Sequence, residues 1–415
     1  MTHLQGALAV RVFLCFASAY FLSYAFRAVN AVIAPDLLND VGLQNADLGL
    51  LSSAYFLSFA ALQLPLGIWL DKYGPRKTEA ALLMFAAAGA ALFAMSTSLA
   101  GLWIGRALIG VGVSACLMAS FKAYRQWFPA DRQAQLASWM LVAGTSGALA
   151  ATVPVNAALP FIGWRGVFWV MCGMILASAT AIFFLLRKAE AALPPPPAHA
   201  STSSGTSGYA EVFSNRFFRR VGLLGAVNHG SFVALQTLWA GPWMTTVLGM
   251  SKEQTASILF LINLCLLLAY LVLAWWAPRH VSHDGSRGFP VIRVITVGVA
   301  GMVIAQVAML LTSAAWSWVL WIVLAVCVTV GTLAQTSMSL SFPTTLAGRA
   351  NTAFNLLLFV GAFAVQWGIG LLIDVFTAYG ATPADAMRGA FAICLAAQVA
   401  SLAAFILDRA QPRIA

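Results

Sequence analysis

Two arginines stand where charge is costly. Arg27 interrupts the apolar run 9–34, and Arg106 interrupts the run 99–121. A guanidinium in the middle of a hydrocarbon layer is unfavourable by about 2.5–3.5 kcal/mol on insertion scales, so such a residue marks a functional site by default. The two depths agree. Arg27 is about eight residues, or roughly 12 Å at 1.5 Å rise, from the outer end of its run, and Arg106 lies at a similar distance into its own. The thirteen Asp and Glu residues all fall in or beside connecting segments, Glu79 among them, so no carboxylate is expected at that depth. Two guanidiniums without a carboxylate call for an anion, and their planar fork suits a carboxylate. For Arg106 the alternative is structural: a hydrogen bond to backbone or to the helix of Arg27.

Other polar side chains surround these positions. At ~100° per residue, Tyr20, Ser23, Tyr24, Arg27 and Asn30 share one face of a helix, and Asn228, His229, Phe232, Gln236 and Trp239 share another. Thr332, Gln335 and Ser339, with Asn355 and Gln366, extend the set. Each alone is commonly an interhelical hydrogen bond; together they describe a polar pocket with aromatic walls. His229 is the one intramembrane group in this set whose unperturbed pKa lies near neutrality, which makes it the candidate proton switch, with Asp36 and Asp374 at the outer ends as alternatives. Trp239-Ala-Gly-Pro242-Trp243 predicts a helix break that could act as a hinge.

The elements that must position these groups are membrane spans. Of 415 residues 61% are hydrophobic and 9% charged, against about 25% charged in an average soluble domain. That excludes a soluble enzyme, a disordered chain and a disulfide scaffold. Twelve stretches approach the ~20 apolar residues a span needs: 9–34, 47–70, 78–97, 99–121, 135–159, 166–186, 218–241, 254–277, 291–312, 316–339, 352–375 and 388–407. Arg11 followed by Ala17-Ser18-Ala19 imitates a cleavable signal peptide, but the apolar run continues to Ala34. The six cysteines lie inside apolar runs without metal-ligand spacing and read as small core residues. Residues 187–217 are rich in Pro, Ser and Gly and read as a flexible linker. The chain therefore divides into an N-terminal bundle of six helices, 1–186, the linker 187–217, and a C-terminal bundle of six, 218–415.

Basic residues orient the spans. With the N-terminus inside, eighteen of the 23 Lys and Arg residues fall in inner segments and three in outer ones, a strong positive-inside bias. The net charge of +10 is thereby explained by anionic inner-leaflet lipid, and nucleic acid is not needed as a partner. Both termini are expected in the cytoplasm, with the chain in a bacterial-type inner membrane.

The segment Gly67-Ile-Trp-Leu-Asp71-Lys72-Tyr-Gly74-Pro-Arg76-Lys77 matches the pattern G-x-x-x-D-(R/K)-x-G-x-(R/K)-(R/K). It resembles the signature of the major facilitator superfamily. Arg106-Ala-Leu-Ile-Gly110 resembles that family's R-x-x-x-G element, and Gly163-Trp164-Arg165 is also similar to it. The equivalent loop in the second half, Ala274 to Arg287, is degenerate. The resemblance implies an all-α fold of 12 transmembrane helices in two six-helix bundles related by a pseudo-two-fold axis, with helices 1, 4, 7 and 10 lining a central cavity. It also implies a latch. Gly67 would let helix 2 approach closely, and Asp71 would accept hydrogen bonds from the N-terminus of helix 11 near Asn351, with Lys72, Arg76 and Lys77 flanking it.

These features exclude a nucleotide-binding loop, a metalloprotease motif and catalytic-triad spacing, and imply neither cofactor nor metal. The expected activity is secondary active transport of a small organic anion by a monomer, coupled to a proton and embedded in lipid. The arginine after tyrosines in helix 1 resembles the anion:cation symporter branch of the superfamily. The alternatives are a drug or metabolite exporter with structural arginines, disfavoured by helix 5 lacking a G-P signature, and a transporter-like sensor.

Overall fold

The computed structural model describes residues 6–128, 133–191, 207–282, 288–342 and 344–408. It consists of helices joined by short turns, with one two-residue ladder between Val281–Ser282 and Phe289–Pro290. Nine helices among the described residues are long and apolar enough to cross a membrane. Of the twelve predicted stretches, 218–241 is missing from that group because π-helical turns cut it into short pieces. In 135–159 the described apolar helix is only Trp139–Ala150. The stretch 47–70 is helical within one long element, Asn45–Met95.

The chain forms two compact units, residues 1–36 with 54–204, and residues 37–53 with 205–415. The first is built from α1 (Gly6–Ala28), the opening of α2 (Asn30–Val41), most of α3 (Asn45–Met95), α4 (Leu99–Val113), α5 (Cys116–Trp127), α6 (Gln133–Ala150), α7 (Val153–Leu185) and the short α8 (Arg187–Ala191). Two breaks matter for the site. α1 is interrupted at Val29, in the middle of the predicted span 9–34. Within α3 the chain reverses at Gly74, whose φ of 76° and ψ of 166° lie outside the helical range and in a region only glycine enters readily.

Small residues set the helix spacing in this unit, since packing between helices in lipid depends on close van der Waals approach. A Cβ on Gly147 of α6 would collide with the Phe21 carbonyl of α1, and one on Gly110 of α4 with Ser58 Oγ and the Tyr55 carbonyl of α3.

The second unit contains α9 (Ser207–Ser214), α10 (Arg216–Leu224), α11 (Gly230–Ala234), α12 (Ala240–Thr246), α13 (Lys252–His280), α14 (Val291–Leu311), α15 (Val319–Val328), α16 (Gly331–Leu340), α17 (Thr344–Ala378) and α18 (Pro383–Leu407). The sequence dictates several helix starts. Asn215 accepts from the Phe218 amide, Ser251 and Gln254 form a reciprocal capping box, and Thr382 caps α18 with Pro383 behind it. Segment 187–217 is helical at both described ends, and Val212 within it is buried in the core of the second unit beside Phe218 and Phe354. In the same unit Gln306 of α14 and Gln398 of α18, 5% and 0% exposed, exchange amide hydrogen bonds of 2.8 and 3.0 Å.

Of the predicted break at Trp239–Trp243, only Trp239 lies in an irregular turn. Residues 240–246 are regular α-helix around Pro242, and the irregular turns are π-helical, Gly225–His229 and Leu235–Trp239, on either side of α11. A π turn closes a wider ring and adds one residue to the turn, and Pro242 has no N–H to give the carbonyl one turn upstream, Leu238, which lies in the second π turn.

Candidate functional site

In the first unit, α1 and α3 build an aromatic enclosure around Arg27. The guanidinium carbon lies 4.7 Å from the ring centroid of Tyr24, 5.7 Å from Tyr55, 5.8 Å from Phe59 and 5.9 Å from Phe56. These distances are within the range of cation–π attraction, worth about 0.5–2 kcal/mol each depending on desolvation. Tyr24 comes one turn earlier on α1, whereas Tyr55, Phe56 and Phe59 come from α3. The Tyr55 hydroxyl lies 3.2 Å from both the carbonyl and the hydroxyl of Ser23, which pins α3 to α1. Tyr24 in turn accepts a 3.3 Å hydrogen bond from the Tyr20 hydroxyl. Arg27 is half-buried as a residue, and the Nε of its guanidinium is enclosed. Its position in the last turn of α1 places a cation where the helix dipole favours one.

Arg106 is placed differently. It is 1% exposed, its Nη1 donates to the Phe26 carbonyl at 2.9 Å, and its guanidinium lies within about 6 Å of the Tyr55, Phe93 and Phe168 rings. Phe26 belongs to the last turn of α1, where carbonyls lose their helical donors. A helix interrupted inside a membrane needs those acceptors satisfied from elsewhere. Gly110, one turn after Arg106, lets α4 lie against Tyr55 and brings the guanidinium to that carbonyl. Asn30 is 1% exposed just beyond the interruption.

One acidic residue departs from the sequence expectation. Glu79, assigned there to an inner connecting segment, lies inside α3 beyond the Gly74 bend and is 0% exposed. The first unit therefore holds an internal carboxyl after all. The bend, not the charge cluster, ends the loop, so the helix resumes earlier than the charges suggest.

The second-unit candidates do not gather on one surface. Asn228 donates 2.7 Å to Ser401 Oγ and 3.2 Å to the Leu224 carbonyl. Gln236 donates 2.9 Å to Asn263 Oδ1 of α13. Trp239 is fully buried and donates 3.1 Å from its indole nitrogen to the Gln366 carbonyl. Gln366 is 1% exposed, and its Oε1 has no hydrogen-bond partner. Gln335 donates 3.3 Å to Asn355 Oδ1, with both residues half-buried. His229 is half-buried and lines a small cavity with Asn228, Gly331 and Phe354; a Cβ on Gly331 would stand 3.2 Å from its Nδ1. A face drawn at 100° per residue across positions 228–239 fails here because the π turn at 235–239 slips the register.

The signature segment is partly explained. Gly74 makes the reversal. Arg76 is 6% exposed and pairs with Glu190 at 2.5 Å while donating 2.7 Å to the Phe183 carbonyl, so it ties the bend to the end of α7 and to α8. Lys72 and Lys77 are exposed, with Lys72 Nζ 5.2 Å from the Tyr73 ring. Gly67 is exposed, and no described atom lies within 4 Å of where its Cβ would be, so the close approach expected of it is not made in this structure. The side chain of Asp71 lies outside the described ones. A carboxylate-to-helix contact does exist in the second unit. Asp374 accepts from the amide and side chain of Asn45 at 3.2 and 3.1 Å and from the Ala46 amide at 2.6 Å, capping the start of α3.

Sequence reasoning missed Tyr55, Phe56, Phe59, Glu79, Asn263 and Glu190. The spacing of the first three along 55–59, facing a helix-borne arginine, was the signal available for that wall. Glu190 sits in a segment whose composition suggests linker, and nothing local marks it as the partner of Arg76.

Known proteins resemble the chain throughout this architecture. Over 154 residues, 37% of the chain, it is 30% identical to a Cupriavidus necator protein named "Probable sulfoacetate transporter SauU". Over 169 residues, 39% of the chain, it is 28% identical to the hexuronate transporter of Escherichia coli (strain K12). These matches span 35% and 38% of the two relatives' own lengths. The crystal structure of a bacterial homologue of the human lysosomal transporter Spinster, inward-facing and unoccupied, shares the fold with a TM-score of 0.78 at 16% identity, covering 97% of both chains. The family model of the major facilitator superfamily matches residues 16–366, and this multi-pass, all-α membrane protein belongs to that superfamily.

Proposed function

We propose that the protein is a secondary active transporter for a small carboxylate-bearing organic anion, coupled to protons and working by alternating access. The carrying observation is Arg27, a guanidinium in a membrane-spanning helix enclosed by four aromatic rings. A carboxylate can take two parallel hydrogen bonds from that fork, and the rings exclude water and strengthen the pairing. The names of the two relatives support the same class, since sulfoacetate and hexuronate both carry a carboxylate. Arg106, committed to the Phe26 carbonyl, serves as a positioning residue that holds the interrupted end of α1 where Arg27 projects. His229, Gln236, Gln335, Gln366 and Trp239 belong to the same proposal as polar and aromatic groups of the second unit. The positive-inside bias of the basic segments supports a reading with both termini in the cytoplasm and the protein in an inner membrane.

The test is uptake of radiolabelled sulfoacetate and glucuronate into proteoliposomes, with and without an acid exterior. Accumulation of either anion that rises with the pH gradient supports the reading. Transport of lipophilic cations instead would replace it with efflux. The loop 67–77 is assigned to gating. Asp71→Asn keeps the size and removes the charge, so it shifts a conformational equilibrium without touching the ligand. The expected result is slower turnover with substrate affinity little changed, measured as Vmax and KM of uptake. An unchanged Vmax removes Asp71 from the gate.

A further inference from the structure

The structure assigns Glu79 a task that its sequence position concealed: we propose that it carries the coupling proton. This rests on the proton-coupled reading above and names the residue that performs it.

The geometry isolates the carboxyl. Glu79 is 0% exposed, and neither of its oxygens has a hydrogen-bond partner by distance and angle. Its nearest polar neighbour is the Cys116 thiol at the start of α5, with Tyr124 of α5 and Cys15 of α1 further out. The basic side chains around it are engaged elsewhere. Arg76, one turn earlier on α3, is held by Glu190 and the Phe183 carbonyl. Arg27 stands inside its aromatic enclosure on α1 and α3. No described cation lies within ion-pair distance of Glu79.

An ionised carboxylate removed from water without a cation or donor costs several kcal/mol or more. In this conformation the group is therefore the neutral acid, and a neutral acid in a water-free bundle is a stored proton. An intramembrane carboxyl kept at that expense marks a proton relay more readily than a structural role. The release step balances simply. When water reaches the site, the O–H bond of Glu79 breaks heterolytically, the proton passes to water and the electron pair stays on the carboxylate. Recapture from the opposite aqueous phase restores the acid, so one proton crosses per cycle. Together with a monovalent anion, that cycle moves no net charge.

Infrared spectroscopy of the reconstituted wild type tests this without any substrate. The C=O stretch of a protonated carboxylic acid should be present at neutral pH, vanish in Glu79→Gln and shift in Cys116→Ala. Its presence unaltered in Glu79→Gln, or its absence from the wild type, overturns the assignment. Transport supplies the second arm, with radiolabelled sulfoacetate and glucuronate as probes. Glutamine mimics the protonated acid in size and charge, so Glu79→Gln should remain monodisperse and keep one-for-one exchange of anion across the vesicle. Accumulation driven by a pH gradient should fall to the level of protein-free vesicles. If the wild type responds to the gradient and Glu79→Gln responds equally, Glu79 is not the carrier although the proton-coupled reading stands. If the wild type itself ignores the gradient, the proton-coupled reading falls and this inference with it.

Discussion

Replacing Arg27 by alanine is expected to abolish transport of any anionic substrate while the protein stays inserted and folded. The argument is one of ligation against structure. Arg27 is half-buried in the last turn of α1, and its enclosure is assembled by contacts that do not need it: the Tyr55–Ser23 hydrogen bonds and the Gly110 approach of α4 to α3. Removing the guanidinium leaves those contacts intact and takes away the group that a carboxylate would grip. Arg27→Lys isolates the geometry of the fork, because it retains the charge but offers a single ammonium in place of two parallel donors. A lost charge-assisted hydrogen bond is worth about 1.5–3 kcal/mol, so affinity should fall roughly ten- to hundredfold, read as KM or by isothermal titration. Normal anion uptake by Arg27→Ala would end the carboxylate proposal.

Arg106→Ala should produce the opposite pattern, a large loss of stability. Arg106 is almost fully buried, fills space between Tyr55, Phe93 and Phe168, and is the donor to the Phe26 carbonyl. Truncation leaves an acceptor unpaired in a dry site, costing about 1–3 kcal/mol, and adds a cavity term of similar size for a long side chain. The measurement is the melting temperature of detergent-solubilised protein together with the monodisperse yield; Arg106→Lys, which keeps a donor, should recover most of the loss. Should Arg106→Ala melt like the wild type and lose affinity alone, Arg106 would instead be a ligand residue. The two arginines thus separate in one pair of experiments.

These two residues also show how far sequence carries. Both are legible as charges in apolar runs, and the carbonyl partner of Arg106 in the helix of Arg27 was one of the alternatives considered. Their division of labour was not legible, because it depends on which guanidinium meets a free carbonyl, and that is decided by the interruption at Val29 and the close approach at Gly110. Glu79 escaped for a local reason. It follows Arg76, Lys77 and Thr78, and a charge cluster resembles a loop until the left-handed Gly74 shows that the bend is already complete. The second-unit face divides for a periodic reason: π turns at 225–229 and 235–239 change the rotation per residue, and Asn228 bonds Ser401 of α18 while Gln236 bonds Asn263 of α13. Helix existence, in contrast, follows from hydropathy alone, since a backbone in lipid has few other ways to satisfy itself.

The Gln306–Gln398 pair bears on how such a chain is assembled. Each amide must enter the bilayer on its own helix, α14 before α18, with its hydrogen-bonding groups unmatched by lipid. Once both are inserted, the reciprocal bonds can form in only one axial alignment, so the pair acts as a registration mark for the docking of α18 against α14. In membranes such a bond contributes about 0.6 kcal/mol on average and less than 2 at most, too little to drive insertion but enough to favour one seating of a helix that otherwise presents mainly interchangeable aliphatic surface. The later of the two segments to leave the insertion machinery therefore carries its own address, written in a side chain that has nothing to do with cargo.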